Sequence, residues 1–294
     1  MRGGRDLDHV VMPVADLGSA RELLTGLGFT VAPEASHPFG SGNACVFFAD
    51  GSYLEPLALL DRDLAETRAA EGNAFLRRDI AYRLRHPLPA FTGVAIRSAD
   101  ALADRDTFSF AGFDGGEILE FGRPFTGPDG RVIDLSFRLA FAAERAAPET
   151  FVFACQRLFD FALDRSALTR HPNRVTGIAH LVFAADEPDR FRGFLEAVLR
   201  CESEVINSLG FSAAIGNARI EVLTPDGLAA RYGTSVRAES GLRLVGLLLE
   251  TEALETVGAL APETGRRPTE ILGRLVVPIG DESGIFLAFE TRRR

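Results

Sequence analysis

LDHVVMPVAD, residues 7 to 16, is the stretch whose reading decides the fold, because edited copies of it return at 91 to 100 (FTGVAIRSAD), 178 to 186 (IAHLVFAAD) and 244 to 252 (LVGLLLETE). Each copy is an apolar run of strand character that ends on an acid and leads into a segment of helical spacing. After Asp16, Leu17, Ala20, Leu23, Leu24 and Leu27 recur at helical intervals, with Asp16 placed to cap the first turn and Gly28 to end the last. Units starting at 7, 91, 178 and 242 make an internal repeat, and a repeat of this length is architectural evidence in its own right.

Three strand candidates follow the first helix, at 29 to 35, 44 to 48 and 53 to 60, so the unit reads β-α-β-β-β. The second unit has a weak helix over 100 to 112 and strands near 118 to 121, 132 to 140 and 151 to 155, with a Pro-Asp-Gly turn in the hairpin 122 to 131. In the third, a helix over 187 to 199 precedes strands at 204 to 206, 211 to 215 and 219 to 223. The fourth has a strand at 242 to 249, a helix over 253 to 260 and strands around 270 to 277 and 285 to 290. Residues 61 to 90 read as an arginine-rich connector with helical stretches. The fold class is α+β: units 7–60 and 91–157 form an N-terminal domain (1–157), units 176–225 and 242–292 a C-terminal domain (176–294), and 158–175 links them.

With 46% hydrophobic residues and 23 Phe, 294 residues suffice for two domains with a sizeable core. A net charge of −9 repels phosphate backbones and anionic lipid, which argues against nucleic acid and membrane partners and for a small-molecule ligand. Cys45, Cys155 and Cys201 are far apart and form no CxxC pair, and no apolar run reaches the length of a signal peptide or membrane span. A reduced, cytoplasmic protein is expected, with a homodimer as a candidate assembly. No GxGxxG after a strand, GxxxxGK[ST], GxSxG or HExxH occurs, so no nucleotide cofactor, acyl-serine chemistry or zincin proteolysis is expected.

The third position of the repeat reads His9, Gly93, His180, Gly246. Glu55 lies in the strand GSYLEPLAL and Glu221 in NARIEVLTP, 46 and 41 positions after the two histidines. An imidazole with a carboxylate suits a divalent metal (Fe, Mn, Ni, Zn or Co) acting as a Lewis acid on substrate oxygens. The competing reading is a buried, hydrogen-bonded histidine beside an acid on the solvent side of its strand. Glu55 shares a face with Tyr53 and Leu57, whereas Ile220 and Val222 take the face opposite Glu221, as they would for a solvent-facing acid. The loop HPFGSGN (37 to 43) offers glycines for close backbone approach, Asn43 as a hydrogen-bond donor, and His37 as a proton carrier if it titrates near neutrality; an ordinary hairpin is the alternative. Arg123 and Arg138 are candidates to pair with an acidic substrate, against the plainer reading of rim salt bridges.

LDHVVMPVADLGSARELLTGLGF (7 to 29), HPFGSGNACVFFADGSYLEPLAL (37 to 59), FGRPFTGPDGR (121 to 131) and HPNRVTGIAHLVFAADEP (171 to 188) together resemble the vicinal oxygen chelate superfamily, which includes glyoxalase I, extradiol dioxygenases, fosfomycin- and bleomycin-resistance proteins and methylmalonyl-CoA epimerase. In detail they are similar to its glyoxalase-like group, whose members share a His-then-Gly-x-x-Asn loop and a Tyr-Leu-Glu strand. The resemblance implies that units pair into curved sheets around a pocket, whose first and last strands supply His, Gln and Glu to a divalent metal and leave room for two neighbouring substrate oxygens. His9, Glu55, His180 and Glu221 fall at such ligand positions, while Gly93, Gly246 and Ala288 depart from them. If units pair in sequence order, each pocket receives one His and one Glu, and His37, Gln156 or Cys155 are candidates for a third ligand in the first. If the first unit meets the third, all four donors assemble. The function implied is a metal-assisted lyase or isomerase acting on a small oxygenated metabolite, with Glu55 or His37 carrying the proton and Asn43, Arg123, Arg138 and Gln156 touching the substrate. The alternatives are a metal-free protein that sequesters an aromatic compound between phenylalanines (Phe39, Phe47, Phe48, Phe137, Phe151, Phe153), and an extradiol-type dioxygenase, which Gly246 disfavours.

Overall fold

Strand β1 (Leu7–Pro13) is buried along its whole length, so both of its faces must be covered. Side chains alternate across a strand. Val10 and Met12 therefore enter a large apolar cluster with helix α1 (Leu17–Gly26), while Val11, on the face of His9, joins a separate cluster on the other side. These are called the helix face and the pocket face below. Asp16 caps α1 by accepting from Ser19 N at 2.7 Å. The computed structural model describes residues 4–126, 132–159, 164–234, 236 and 241–292. The turn expected at 128 to 130 and the last two arginines lie outside the described residues.

The first unit continues through β2 (Ala35–Ser36), β3 (Ser41–Asn43), β4 (Val46–Phe47) and β5 (Tyr53–Leu59). The strand expected at 29 to 35 shrinks to its end, because the Val31 and Ala32 carbonyls accept from the Arg21 guanidinium rather than from a neighbouring strand. Part of the loop 37 to 43 is instead β3, paired with β5. Residues 61 to 90 are more than a connector: helices α2 (Arg62–Ala70) and α3 (Ala74–Arg83) cover the pocket face, burying Ala65, Phe75 and Leu76. Arg83 ties this hairpin to the sheet, donating to Asp79 Oδ2 at 2.6 Å, Val14 O at 2.7 Å and Leu57 O at 2.8 Å.

The second unit comprises β6 (Gly93–Ser98), α4 (Ala101–Phe110), β7 (Leu119–Thr126), β8 (Val132–Ala142) and β9 (Phe151–Arg157). The third has β10 (Val175–Ala184), a 3₁₀ turn at Pro188–Phe191 leading into α5 (Arg192–Leu199), then β11 (Ser203–Asn207), β12 (Gly210–Ile215) and β13 (Ala218–Leu223). A helix absent from the sequence reading, α6 (Pro225–Tyr232), precedes the fourth unit of β14 (Arg243–Thr251), α7 (Leu254–Leu260), β15 (Thr269–Ile271), β16 (Arg274–Pro278) and β17 (Phe286–Thr291).

The strands form two sheets, in the order β2-β3-β5-β1-β6-β9-β8-β7, with β4 beside β5, and β11-β12-β13-β10-β14-β17-β16-β15. Within a unit the first and last strands run parallel, and between units the first strands pair antiparallel, β1 with β6 and β10 with β14. Units therefore pair in sequence order. The alternative, in which the first unit meets the third, does not occur: His9 and Glu55 belong to one sheet, His180 and Glu221 to the other. The helix faces of both sheets share one apolar cluster, joined through ring contacts such as Phe29 with Phe289 (6.2 Å) and Phe113 with Phe194 (5.1 Å). His171 and Asn173 shape the crossing between sheets: Thr30 N donates to His171 Nδ1 at 3.0 Å, His171 Nε2 donates to Phe47 O at 2.9 Å, and Asn173 Nδ2 donates to Leu27 O at 2.9 Å.

The glycines that interrupt the histidine series sit against aromatic rings. A Cβ on Gly246 would lie 2.2 Å from the Phe286 ring, and one on Gly93 would lie 3.2 Å from both Phe151 and Phe153. Phenyl groups of the adjacent last strand thus fill the space an imidazole would take. Phe286 is 2% exposed and its ring lies 5.0 Å from that of Tyr232, so it has little room to retreat. Gly246→Ala is expected to destabilise the chain by about 1–3 kcal/mol through overpacking. The check is the urea midpoint; an unchanged midpoint would mean that the ring moves freely.

Candidate functional site

A β-bulge sets the geometry of the site. Leu7 pairs with Ile96 and His9 with Ala95, so Asp8 is an extra residue in β1. Strict alternation would send Asp8 and His9 to opposite faces; the bulge lets their side chains meet. His9 Nδ1 donates to Asp8 Oδ2 at 3.0 Å, and His9 Nε2 lies 3.3 Å from Glu55 Oε2. Asp8 is held in turn by Arg157, whose guanidinium is 2.7 Å from Oδ1, with Arg97 at 3.6 Å. The His9 ring stacks on Tyr53 at 4.4 Å and meets the edge of Phe153 at 5.4 Å.

Glu55 is the hub of the cluster. Asn43 Nδ2 donates to its Oε1 at 2.6 Å, and His37 Nε2 lies 3.9 Å from the same oxygen. His37 is fixed by Ser41 Oγ at 2.9 Å from its Nδ1 and by stacking on Phe39 at 5.1 Å. Burial pushes the His37 imidazole down to about 4, against the pull of Glu55 and with the help of Arg123, so the ring is neutral near pH 7. The condition on which His37 was expected to carry protons, titration near neutrality, is therefore not met. These groups line a cavity on the pocket face together with Phe39, Phe47, Phe75, Phe121, Phe137, Phe153, Cys45, Cys155, Arg123, Arg157 and Arg165.

Strand parity explains which candidates fall elsewhere. Cys155 and Arg157 face the cavity, so Gln156 between them faces away, where its Oε1 accepts from Ala101 N at 3.1 Å and its Nε2 donates to Ala99 O at 2.8 Å at the start of α4. Phe137 faces the cavity, and Arg138 beside it instead pairs with Glu120 across the strand. Neither Gln156 nor Arg138 is among the cavity-lining residues, and of the phenylalanines expected there Phe48 and Phe151 sit in packed cores. Cys155 does line the cavity, and burial pushes both its thiol and that of Cys45 up, which favours the neutral thiol at both positions. Asp8, Arg157 and Arg165 were missed. The signal for Arg157 was the parity of Phe151, Phe153, Cys155 and Arg157; nothing in the local sequence marks the bulge that recruits Asp8.

Among the described residues no group of three or more His, Cys, Asp or Glu is preformed around a metal position. The donors nevertheless fit a divalent ion in kind. His9 Nε2 and His37 Nε2 face the two different oxygens of the Glu55 carboxylate, and each imidazole has its Nδ1 engaged by an oxygen, an arrangement that leaves Nε2 on the side of the carboxylate, where Asn43 Nδ2 also lies 3.4 Å from His37 Nε2. With its Nδ1 proton given to Asp8, His9 faces Glu55 as acceptor against acceptor at 3.3 Å, a contact that is attractive only with positive charge between them, either a second ring proton or a cation.

Residues 7–199 match the family described as "Glyoxalase-like domain". No curated protein matches the chain. Among solved structures, a hypothetical protein from Staphylococcus aureus is 11% identical with a TM-score of 0.67, covering 98% of this chain and 99% of that one. A mutant of 4-hydroxymandelate synthase from Streptomyces coelicolor is 14% identical with a TM-score of 0.61, covering 99% and 93%. The Mn(II)-bound glyoxalase from Novosphingobium aromaticivorans is 9% identical with a TM-score of 0.55, covering 98% and 83%. At these identities the likeness speaks to fold. No helix among the described residues is long and apolar enough to cross a membrane.

The second sheet repeats the plan with a different outcome. Its bulge falls at Ala179, between the pairs Ile178–Leu249 and His180–Leu248, so the residue equivalent to Asp8 has no carboxylate. His180 Nδ1 is 3.3 Å from Glu221 Oε1, but Glu221 is 2% exposed rather than solvent-facing. Arg231 and Tyr232 of α6 both donate to it, Tyr232 at 2.7 Å, and α6 fills this pocket face with Leu228 and Tyr232 against Phe286 and Ala288. Burial raises the Glu221 carboxyl, yet His180, Tyr232 and Arg231 together hold it at about 2, below its ordinary 4.5. Its contribution to stability is therefore complete above pH 4.5 and is lost as pH falls through about 2. Glu221→Gln is expected to lower the melting temperature at pH 7 and to flatten the fall in melting temperature between pH 4.5 and 2. A variant with the wild-type acid profile would remove Glu221 from this account.

Proposed function

Because the chain belongs to the glyoxalase-like domain family, and with it to the vicinal oxygen chelate superfamily, we propose that it is a divalent-metal-assisted lyase or isomerase acting on a small oxygenated metabolite in the N-terminal cavity. The observation that carries this reading is the convergence of His9, His37 and Glu55, each oriented by a further polar group, Asp8, Ser41 and Asn43 respectively. His9, His37 and Glu55 are the residues that would hold the ion. Its chemistry there is that of a Lewis acid polarising two neighbouring substrate oxygens.

The remaining work falls to the chain's own groups. Glu55 carries the proton to and from the substrate carbon beside those oxygens, while the short hydrogen bond from Asn43 fixes one carboxylate oxygen and leaves the other facing His9. Asp8 holds the tautomer of His9 and is a positioning residue. The Phe39, Phe121, Phe137 and Phe153 rings exclude water, which strengthens each electrostatic contact inside the cavity. Residues 225 to 232 close the corresponding face of the second sheet, whose part is structural.

A second reading has its own observation. Gly93 and Phe153 stand in the second unit where His9 and Glu55 stand in the first, so two of the superfamily's ligand positions carry no donor. This favours a metal-free protein that sequesters an aromatic compound.

Elemental analysis of protein purified without chelator separates the two. About one equivalent of metal is expected in the wild type, with loss of most of it in His9→Ala and Glu55→Gln and retention in His180→Ala. Wild-type protein without metal, or a His9→Ala content equal to wild type, would overturn the metalloenzyme reading.

A further inference from the structure

The charges around the N-terminal cavity do not balance. Three guanidinium groups line it, those of Arg123, Arg157 and Arg165. Arg157 is matched by Asp8 at 2.7 Å. Glu55 is already engaged by Asn43 and His9. Arg123 and Arg165 have no carboxylate partner among the described residues; the contact made by Arg165 is with the face of the Phe47 ring, 4.1 Å from its centroid. Arginines on other strands of the chain are paired, Arg138 with Glu120 and Arg219 with Glu204 for example.

Two half-buried guanidinium groups without counter-charges are costly to keep. Burial, together with repulsion from Arg157, pushes the Arg165 guanidinium down despite the pull of Tyr53. Arg123, Arg165 and Cys45 all line this one cavity.

The rest of the lining supplies flat apolar surface. Phe121 stacks on Phe137 at 5.3 Å and meets the edge of Phe39 at 5.2 Å, and Arg123 follows Phe121 by two residues on the same face of β7. Such walls suit a ring, and guanidinium groups without a counter-charge suit a carboxylate, which can accept two hydrogen bonds from one fork.

We propose that this cavity binds a planar monoanion, an aromatic carboxylate whose charge is neutralised by Arg123 and Arg165 while its ring lies among Phe39, Phe121 and Phe137. The proposal rests on the reading of this cavity as the ligand site, and it does not require a metal.

Calorimetric titration of benzoate and of its neutral isostere benzamide into wild type, Arg123→Gln, Arg165→Gln and His9→Ala provides the test. Benzoate is expected to bind at least about tenfold more tightly than benzamide in wild type, with each arginine substitution weakening benzoate by about tenfold and leaving benzamide unchanged. Arg123→Lys and Arg165→Lys keep the charge and are expected to retain part of the preference, which separates charge from misfolding; melting temperatures of all variants are compared with wild type. His9→Ala retains both arginines and is expected to keep the preference for benzoate even where its metal is lost, so failure of the metal reading and failure of this proposal give different results. Equal binding of benzamide and benzoate, a benzoate preference that survives in both Gln variants, or no binding of either probe at millimolar concentration overturns the proposal.

Discussion

A strand has two faces, and the first strand of each unit must serve both at once. In β1 the even positions Val10 and Met12 are committed to the core shared with the other sheet, which leaves the odd positions, His9 and Val11, for the pocket face. In β10 the same division gives Leu181 and Phe183 to the shared core and His180 and Val182 to the other side. Because side-chain direction has a period of two, a one-residue slip would push the imidazole into the apolar core and withdraw the valine from it. The register that buries the apolar face is therefore also the register that displays the candidate site, and stability and the placement of that polar cluster are enforced by the same pairing.

The repeat was legible because this constraint acts on sequence directly: four apolar runs of nine or ten residues, each closed by an acid, of which Asp16 and Asp100 cap the helix that follows. Helix α1 and the last strand of each unit were legible for the same reason. Of the short strands of the first unit, β4 falls within the expected 44 to 48, whereas β3 was not legible, since Ser41, Gly42 and Asn43 carry no strand propensity and are ordered by pairing with β5. Of the site, His9, His37, Asn43, Glu55 and Arg123 were readable from residue type and position. Gln156 and Arg138 were misplaced because their chemistry was weighed before their parity. Asp8 could not be read at all, since a bulge is a property of two paired strands and leaves no local mark on one of them. Helix α6 was overlooked although Thr224-Pro225 is a good start signal, because the residues between the third and fourth units were given no element.

The two halves show how one plan reaches two ends. Both keep the bulge, the histidine and the glutamate. In the first, the glutamate meets an amide and two imidazoles beside an open cavity; in the second, it meets a tyrosine and an arginine from an inserted helix and is sealed. A carboxylate with its hydrogen-bonding capacity filled by permanent donors stabilises the fold, and one with capacity left over is available to a ligand. The histidine and the glutamate are the same, and the difference lies in their neighbours, among them Asp8 against Ala179 at the bulge.

The helical hairpin of α2 and α3 reaches the sheet through two hydrogen bonds of Arg83, both to backbone carbonyls that exist whatever the side chains are, and it contributes Phe75 to the wall of the cavity. The donors at the centre belong to the sheet, while this part of the wall belongs to a segment inserted between two units. Wall and centre are thus separate modules of inheritance: the hairpin can drift or be exchanged under selection for a new ligand shape without disturbing the polar cluster, and a lineage can keep its chemistry while changing what it acts upon.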